Sequence, residues 1–232
     1  MNKRKKYPLL YIGGDKGGVG KSAVSMAVID YLIESSEKPI VVDTDTSNPD
    51  VFYAYAKKIE PPPFALDLDT EEGWSKLVNE SAHFADRPVV INAAARALQD
   101  GKLKGDGAYF LDGVESHEVI AFWVINRSRS SINALASFAK VFKGRIVIIR
   151  NTYYGAPAKF QRLAKSETTK KLIEVRKIAI LDFPELPDYV VDLMDDERLT
   201  LSEVAAKYGI GERLSVRKYR ADVREQFAEV LK

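Results

Sequence analysis

Tyr11-Ile-Gly-Gly-Asp-Lys-Gly-Gly-Val-Gly-Lys-Ser22 is the stretch on which the reading of this chain turns. An apolar run, Leu9 to Ile12, leads into it, and an amphipathic helical pattern, Ser22–Glu34, leads out. Glycines 17, 18 and 20 let backbone N–H groups converge on phosphate oxygens, where a Cβ would stand in the way. The following helix adds the positive end of its dipole. In that setting the segment Gly17-Gly18-Val19-Gly20 wraps a nucleotide's phosphates. Lys21 bridges the β- and γ-phosphates, and the Ser22 hydroxyl ligates Mg²⁺. A glycine-rich turn between strand and helix is the plainer alternative.

Outward from this loop, apolar β-rich runs recur at Pro8–Ile12, Pro39–Val42, Pro88–Ile91, Val119–Ile125, Arg145–Ile149 and Lys177–Leu181. Most are continuously apolar rather than alternating, as strands buried on both faces are. Helical patterns lie between them at Ser22–Glu34, Thr70–Phe84, Ser131–Phe142 and Lys159–Glu174. Strand and helix alternate, which predicts an α/β chain: a doubly wound, mainly parallel sheet flanked by helices. From Pro187 onward the pattern is helical only. Leu199-Thr-Leu-Ser-Glu offers a cap, and a last helix is expected from about Leu214 to Lys232. Residues 1–232 thus read as a single domain with 187–232 as its helical C-terminal extension. Pro61-Pro-Pro63 marks a stiff loop, and Asp100–Gly107 reads as a mobile one.

Composition sets bounds. The 232 residues are 46% hydrophobic and 29% charged, ordinary for a globular α/β protein. The net charge of +2 implies no polyanionic partner by itself, so local clusters must carry that argument. The absence of cysteine excludes disulfides, thiol catalysis and cysteine-ligated metals. His83 and His117 are far apart and read as ordinary surface or core residues. The basic start, Lys3–Lys6, precedes an apolar run too short for a secretory signal, and no segment reaches the length of a membrane span. A cytoplasmic location is the expectation.

The loop departs from the conventional phosphate-loop pattern at Asp15, where that pattern has glycine, and matches Lys-Gly-Gly-x-Gly-Lys-Ser instead. In this it resembles the deviant Walker-A ATPases of the ParA/MinD family, with the match running from about Leu9 to Glu203. That resemblance implies ATP and Mg²⁺ as ligands and a homodimer that sandwiches the nucleotide, with Lys16 reaching the partner's nucleotide as an arginine finger does elsewhere. It implies that Pro39-Ile-Val-Val-Asp-Thr-Asp-Thr-Ser-Asn-Pro-Asp50 is switch I. There Asp43 holds the Mg²⁺ water shell or orients the attacking water, and Asp45 supports Lys16 or that water. A capped turn is the alternative. The family's third strand ends in an aspartate on the Mg²⁺ water shell. This chain has Asn92, whose amide accepts a hydrogen bond from such a water but adds no charge, so slow basal hydrolysis is expected. The resemblance further implies that Asn151 reads adenine and that Phe183-Pro184-Glu-Leu-Pro187 closes over the base. No guanine-reading Asn-Lys-x-Asp or Thr-Lys-x-Asp sequence is present. Leu66–Trp74 and Leu186–Glu203 look like the plasmid-encoded StbB and TraL-type proteins, associated with plasmid stability or conjugative transfer.

Partners are read from charge. Arg213, Arg217, Lys218, Arg220 and Arg224 on the last helix suggest non-specific DNA binding by a dimer. A solvated helix face docked by Leu214, Phe227 and Val230 is the alternative. A protein adaptor fits a switch of this kind. Val223, Phe227, Val230 and Leu231 form a stripe of the kind a membrane helix has, but such a stripe is more often core packing, so a membrane partner is not expected. Two other functions stay open: an ATP-dependent ligase of the cobyrinate or dethiobiotin type, and a nucleotide-binding module with little hydrolysis.

Overall fold

The structure is a computed structural model and describes residues 6–95, 98, 99 and 102–231. Nine strands are described: β1 (Pro8–Gly14), β2 (Ile40–Asp43), β3 (Phe64–Ala65), β4 (Val89–Asn92), β5 (Leu98–Gln99), β6 (Lys102–Leu103), β7 (Glu118–Ile125), β8 (Arg145–Asn151) and β9 (Ala179–Phe183). Seven of them form one sheet in the order β3-β2-β4-β1-β7-β8-β9, and every pairing in it is parallel. β5 and β6 make a separate antiparallel hairpin. The ten α-helices described are α1 (Lys21–Glu34), α2 (Asp50–Tyr55), α3 (Glu71–His83), α4 (Gly107–Asp112), α5 (Arg129–Val141), α6 (Gln161–Lys165), α7 (Glu167–Arg176), α8 (Asp188–Glu197), α9 (Leu201–Lys207) and α10 (Ile210–Phe227).

The continuous apolar runs have the cause expected of them: both faces of the sheet are covered. Leu10 and Ile12 point into a core shared with α1, α2 and the C-terminal helices, including Val190, Val204, Val216 and Phe227. Leu9 and Tyr11 point into the opposite core, with Trp74 of α3 and Leu135 and Phe138 of α5. Each buried side chain of Leu or Phe size contributes about 1.5–3 kcal/mol, so these two layers are what fix the strand ends. β1 lies in the middle of the sheet between β4 and β7. β2 continues the chain to one side of it and β7 to the other, so the loop after β1 emerges where the order of connection reverses, the usual place for a ligand in an open α/β sheet.

Several boundaries differ from those read in the sequence. The pattern Lys159–Glu174 is not one helix, because Ser166 ends α6 and its side chain accepts a hydrogen bond from the Thr169 backbone N–H to start α7. β9 begins at Ala179 because Lys177, at φ 51°, ends α7 in the left-handed region. Asp100–Gly107 is not one loop. Asp100 and Gly101 lie outside the described residues, Lys102–Leu103 is a strand, Lys104–Asp106 a 3-10 turn, and Gly107 opens α4. The Trp74 indole N–H donates to the Lys104 carbonyl at 2.8 Å and holds that turn in place. The last helix starts at Ile210, four residues early, and ends at Phe227. The predicted cap before α9 is present as a capping box, with Thr200 and Glu203 each satisfying the other's backbone N–H. No helix among the described residues is long and apolar enough to cross a membrane.

Candidate active site

α1 starts without a side-chain cap and without an acidic residue in its first turn. Its free N–H groups therefore face the loop that precedes them, which is an anion site in waiting. Gly18 sits at φ 76° and Gly20 at φ 102°, both left-handed. A Cβ at Gly20 would also come within 2.3 Å of the Asn151 amide nitrogen. Glycine is thus demanded at position 18 by backbone geometry and at position 20 by backbone geometry and close approach.

An inward-facing row of N–H groups needs its carbonyls turned away and satisfied. Three side chains do this. Lys21 Nζ donates to the Lys16 carbonyl at 3.0 Å. Asn151 Nδ2 donates to the Val19 carbonyl at 2.9 Å, while its Oδ1 accepts from the Tyr153 N–H at 3.1 Å. The Tyr154 hydroxyl donates to the Gly18 carbonyl. Asn151, which the resemblance placed on adenine, has both ends of its amide committed to bracing the phosphate loop and its own turn. Tyr154 was not foreseen, although it follows Asn151 by only three residues.

Lys21 is buried at 7% exposure. Burial pushes the pKa of its ammonium down, and the charges of Asp45 and Asp15 oppose that shift. A buried cation held only by a carbonyl and two neighbouring carboxylates is poised to gain from an arriving polyphosphate. Lys16 itself is exposed.

Asp43 is fully buried. Its Oδ1 accepts from the Asp45 N–H at 3.2 Å and from Asn92 Nδ2 at 3.0 Å, and its Oδ2 accepts from the Phe52 N–H at 3.0 Å. Burial raises its pKa, against the pull of those three bonds. The carboxylate is therefore spent on shaping the β2–α2 loop. Asp45 is half-buried on that loop, and its charge reaches Lys21. Asn92 is 2% exposed and also committed on both sides: Ser25 Oγ donates to its Oδ1 at 3.0 Å. Backbone bonds lock the same strand ends. The Thr44 N–H donates to the Asn92 carbonyl at 3.0 Å, and the Thr44 hydroxyl accepts from the Ala94 N–H at 2.8 Å. Ser25 and Thr44 carried no signal in the sequence beyond being small and polar next to a motif.

A cavity of about 640 Å³ opens beside the loop. Gly18, Gly20 and Ser22 of the loop line it, together with Tyr153, Phe183 and Pro184. That volume suits a nucleotide. The donor set fits Mg-ATP: inward N–H groups, a buried lysine, a hydroxyl at Ser22, and an acid at Asp45 on the facing loop. Bound there, Mg²⁺ would neutralise phosphate charge, with Ser22 as its protein ligand.

The C-terminal basic cluster is not uniform. Arg220 is folded inward: its guanidinium donates to both Asp30 oxygens, at 2.8 and 2.6 Å, and to Ser202 Oγ at 2.6 Å. It is a structural cation, a correction to its reading as a DNA contact. Lys218 pairs with Asp222 at 2.7 Å. Arg213, Arg217 and Arg224 are exposed and form no ion pair among the described residues. On an α-helix of about 100° per residue they fall within roughly 40° of one another. Of the N-terminal cluster, Lys3–Lys5 lie outside the described residues.

No protein-family model matches the chain. Protein MobD of Acidithiobacillus ferrooxidans is 34% identical over 221 residues, covering 95% of this chain and 96% of MobD. Apo McdA of Cyanothece superposes with a TM-score of 0.61 at 13% identity, over 95% of this chain and 99% of McdA. The septum site-determining protein MinD of Pyrococcus horikoshii, solved with Mg-ADP, superposes with a TM-score of 0.56 at 17% identity, over 97% and 98% of the two chains.

Proposed function

We propose that this chain, which belongs to the MobD family and to the ParA/MinD-type P-loop ATPases, is an ATP-dependent switch that dimerises around its nucleotide. The observation that carries this reading is the phosphate loop: left-handed Gly18 and Gly20, carbonyls tied outward, Lys21 buried behind and Lys16 exposed in front. ATP and Mg²⁺ are the ligands, as Mg-ADP is in the MinD structure. Lys21 and the loop N–H groups hold the phosphates and Ser22 the metal. Asp45 orients the attacking water, supported by Asp43 from beneath. The base lies against Pro184 and the Tyr153 wall, with Asn151 shaping the pocket's floor. Basal hydrolysis is slow, because Asn92 brings no charge to the metal and its amide is tied to Asp43 and Ser25. Such a timer suits the positioning or partition of a plasmid, or conjugative transfer, in the cytoplasm, with a protein adaptor supplying stimulation.

Lys16 separates a switch from a simple nucleotide-binding module. Lys16→Ala leaves the buried Lys21 in place, so ATP affinity should stay within about threefold of the parent, less than about 1 kcal/mol. The variant should nevertheless remain monomeric in ATP. Light scattering that showed a normal ATP dimer would make Lys16 an ordinary loop residue.

DNA is the proposed passive partner, through Arg213, Arg217 and Arg224 of the two protomers. Binding should be sequence-tolerant, require ATP, and weaken steeply with salt. Arg213→Glu with Arg217→Glu should lose binding at least about tenfold, since each phosphate contact is a charge-driven term. Fluorescence anisotropy with a random duplex measures this. Unchanged affinity in that double variant would mean that α10 is not the DNA face.

A further inference from the structure

The polar chain from α1 to switch I assigns a role to a residue outside every recognised motif. We propose that Ser25 is a positioning residue of the nucleotide site, acting through Asn92 on Asp43 and so on the loop that carries Asp45. The inference rests on the nucleotide-switch reading and deepens it.

Direction is what makes the chain informative. Asp43 accepts bonds from two backbone N–H groups and offers only acceptors to Asn92. The Asn92 amide must therefore present Nδ2 to it, at 3.0 Å. That leaves Oδ1 pointing the other way, into a site closed to solvent, where it needs a donor. Ser25 Oγ supplies one at 3.0 Å and is itself fully buried. An ionised aspartate at 92 could not donate to Asp43 and would set two carboxylates against each other. Asn92 and Ser25 are thus a matched pair, and the asparagine is usable here because the serine orients it.

Position gives the pair its mechanical meaning. Ser25 lies one turn beyond Lys21 and three residues beyond Ser22 on α1, the helix whose first turn would hold phosphate and metal on that reading. Asp43 anchors the N–H groups of Asp45 and Phe52, so it sets both ends of the β2–α2 loop. A displacement of the start of α1 on nucleotide binding passes through Ser25 and Asn92 to that loop without crossing solvent. Binding itself uses the phosphate loop, whereas turnover and closure of the dimer use Asp45. The chain should therefore matter for the second and not the first.

The experiment measures ATP affinity with a fluorescent ATP analogue, single-turnover hydrolysis, and thermal unfolding, in the parent, Ser25→Ala, Ser25→Thr, Asn92→Ala and the Ser25→Ala/Asn92→Ala double variant. Ser25→Ala should keep its ATP affinity within about threefold and lose about tenfold in turnover, the size expected for one unsatisfied buried acceptor. Ser25→Thr, which keeps the hydroxyl, should recover most of that turnover. The double variant should turn over no more slowly than Asn92→Ala alone. Four results would overturn the proposal: turnover unchanged in Ser25→Ala, affinity and turnover falling together, additive losses in the double variant, or a lowered unfolding temperature with normal turnover. A parent chain that fails to bind the ATP analogue would overturn the nucleotide reading and this inference with it.

Discussion

Lys21→Ala will abolish measurable ATP binding while leaving the unliganded fold near its parent stability. The two halves of that expectation come from the same observation. In the free loop Lys21 is 7% exposed, and its ammonium is bonded to one carbonyl with its pKa pushed down by burial. A cation in that setting adds little to the fold, because its desolvation offsets its contacts. Polyphosphate reverses the balance, since each charge-assisted bond to an oxygen contributes about 1.5–3 kcal/mol. Losing two such bonds weakens binding by at least about a hundredfold, at about 1.4 kcal/mol per factor of ten. Calorimetric titration with Mg-ATP, beside a thermal melt without nucleotide, checks both halves. Retained affinity in a folded variant would mean that the loop does not hold the phosphates.

Arg220→Glu will break the ion pair that ties α10 to α1 and destabilise the fold severely. Asp30 is 5% exposed and bonded by both oxygens to the Arg220 guanidinium, with Glu34 a further 3.7 Å contact. Removing the cation leaves a buried carboxylate unpaired, at a cost of about 3–5 kcal/mol, and the new glutamate adds a like charge. For a chain of this size that lowers the unfolding midpoint by on the order of 10 °C. Asp30→Leu with Arg220→Met, which removes both charges and fills the space, should recover most of the loss. A midpoint within a degree or two of the parent in Arg220→Glu would show that the pair is not holding α10 to α1. Because the variant disturbs the fold, it is unsuited to testing DNA binding, whereas Arg213 and Arg217 are exposed and suited to it.

The contrast between these arginines shows what the sequence could and could not convey. Arg213, Arg217, Arg220 and Arg224 are alike in sequence, yet Arg220's partner lies 190 positions away in α1. Loop residues 17–22 were legible because their requirement is local: positive φ at Gly18 and Gly20 is a property of the residues themselves. The parallel sheet was legible because short, continuously apolar runs alternating with helical patterns suit strands covered on both faces. Asp43 and Asn92 were recognisable as strand-end polar residues, but their partners come from α1 and from the β2–α2 loop. Nothing local could distinguish a carboxylate facing metal from one committed to backbone N–H groups. The same holds for Asn151, whose amide bonds a carbonyl 132 residues earlier. Where the sequence suggested one helix over Lys159–Glu174, the stop at Ser166 is a capping decision that periodicity does not resolve.

Mass in solution as a function of nucleotide tests the switch most directly. Size-exclusion chromatography with light scattering on the full chain, in ATP, in ADP and without nucleotide, should give twice the chain mass in ATP and the chain mass in the other two. Lys21→Ala and Lys16→Ala should give the chain mass in all three, the first because it binds no ATP and the second although it does. A parent chain that binds ATP and keeps one and the same mass in all three conditions would contradict the account of a nucleotide-dependent dimer.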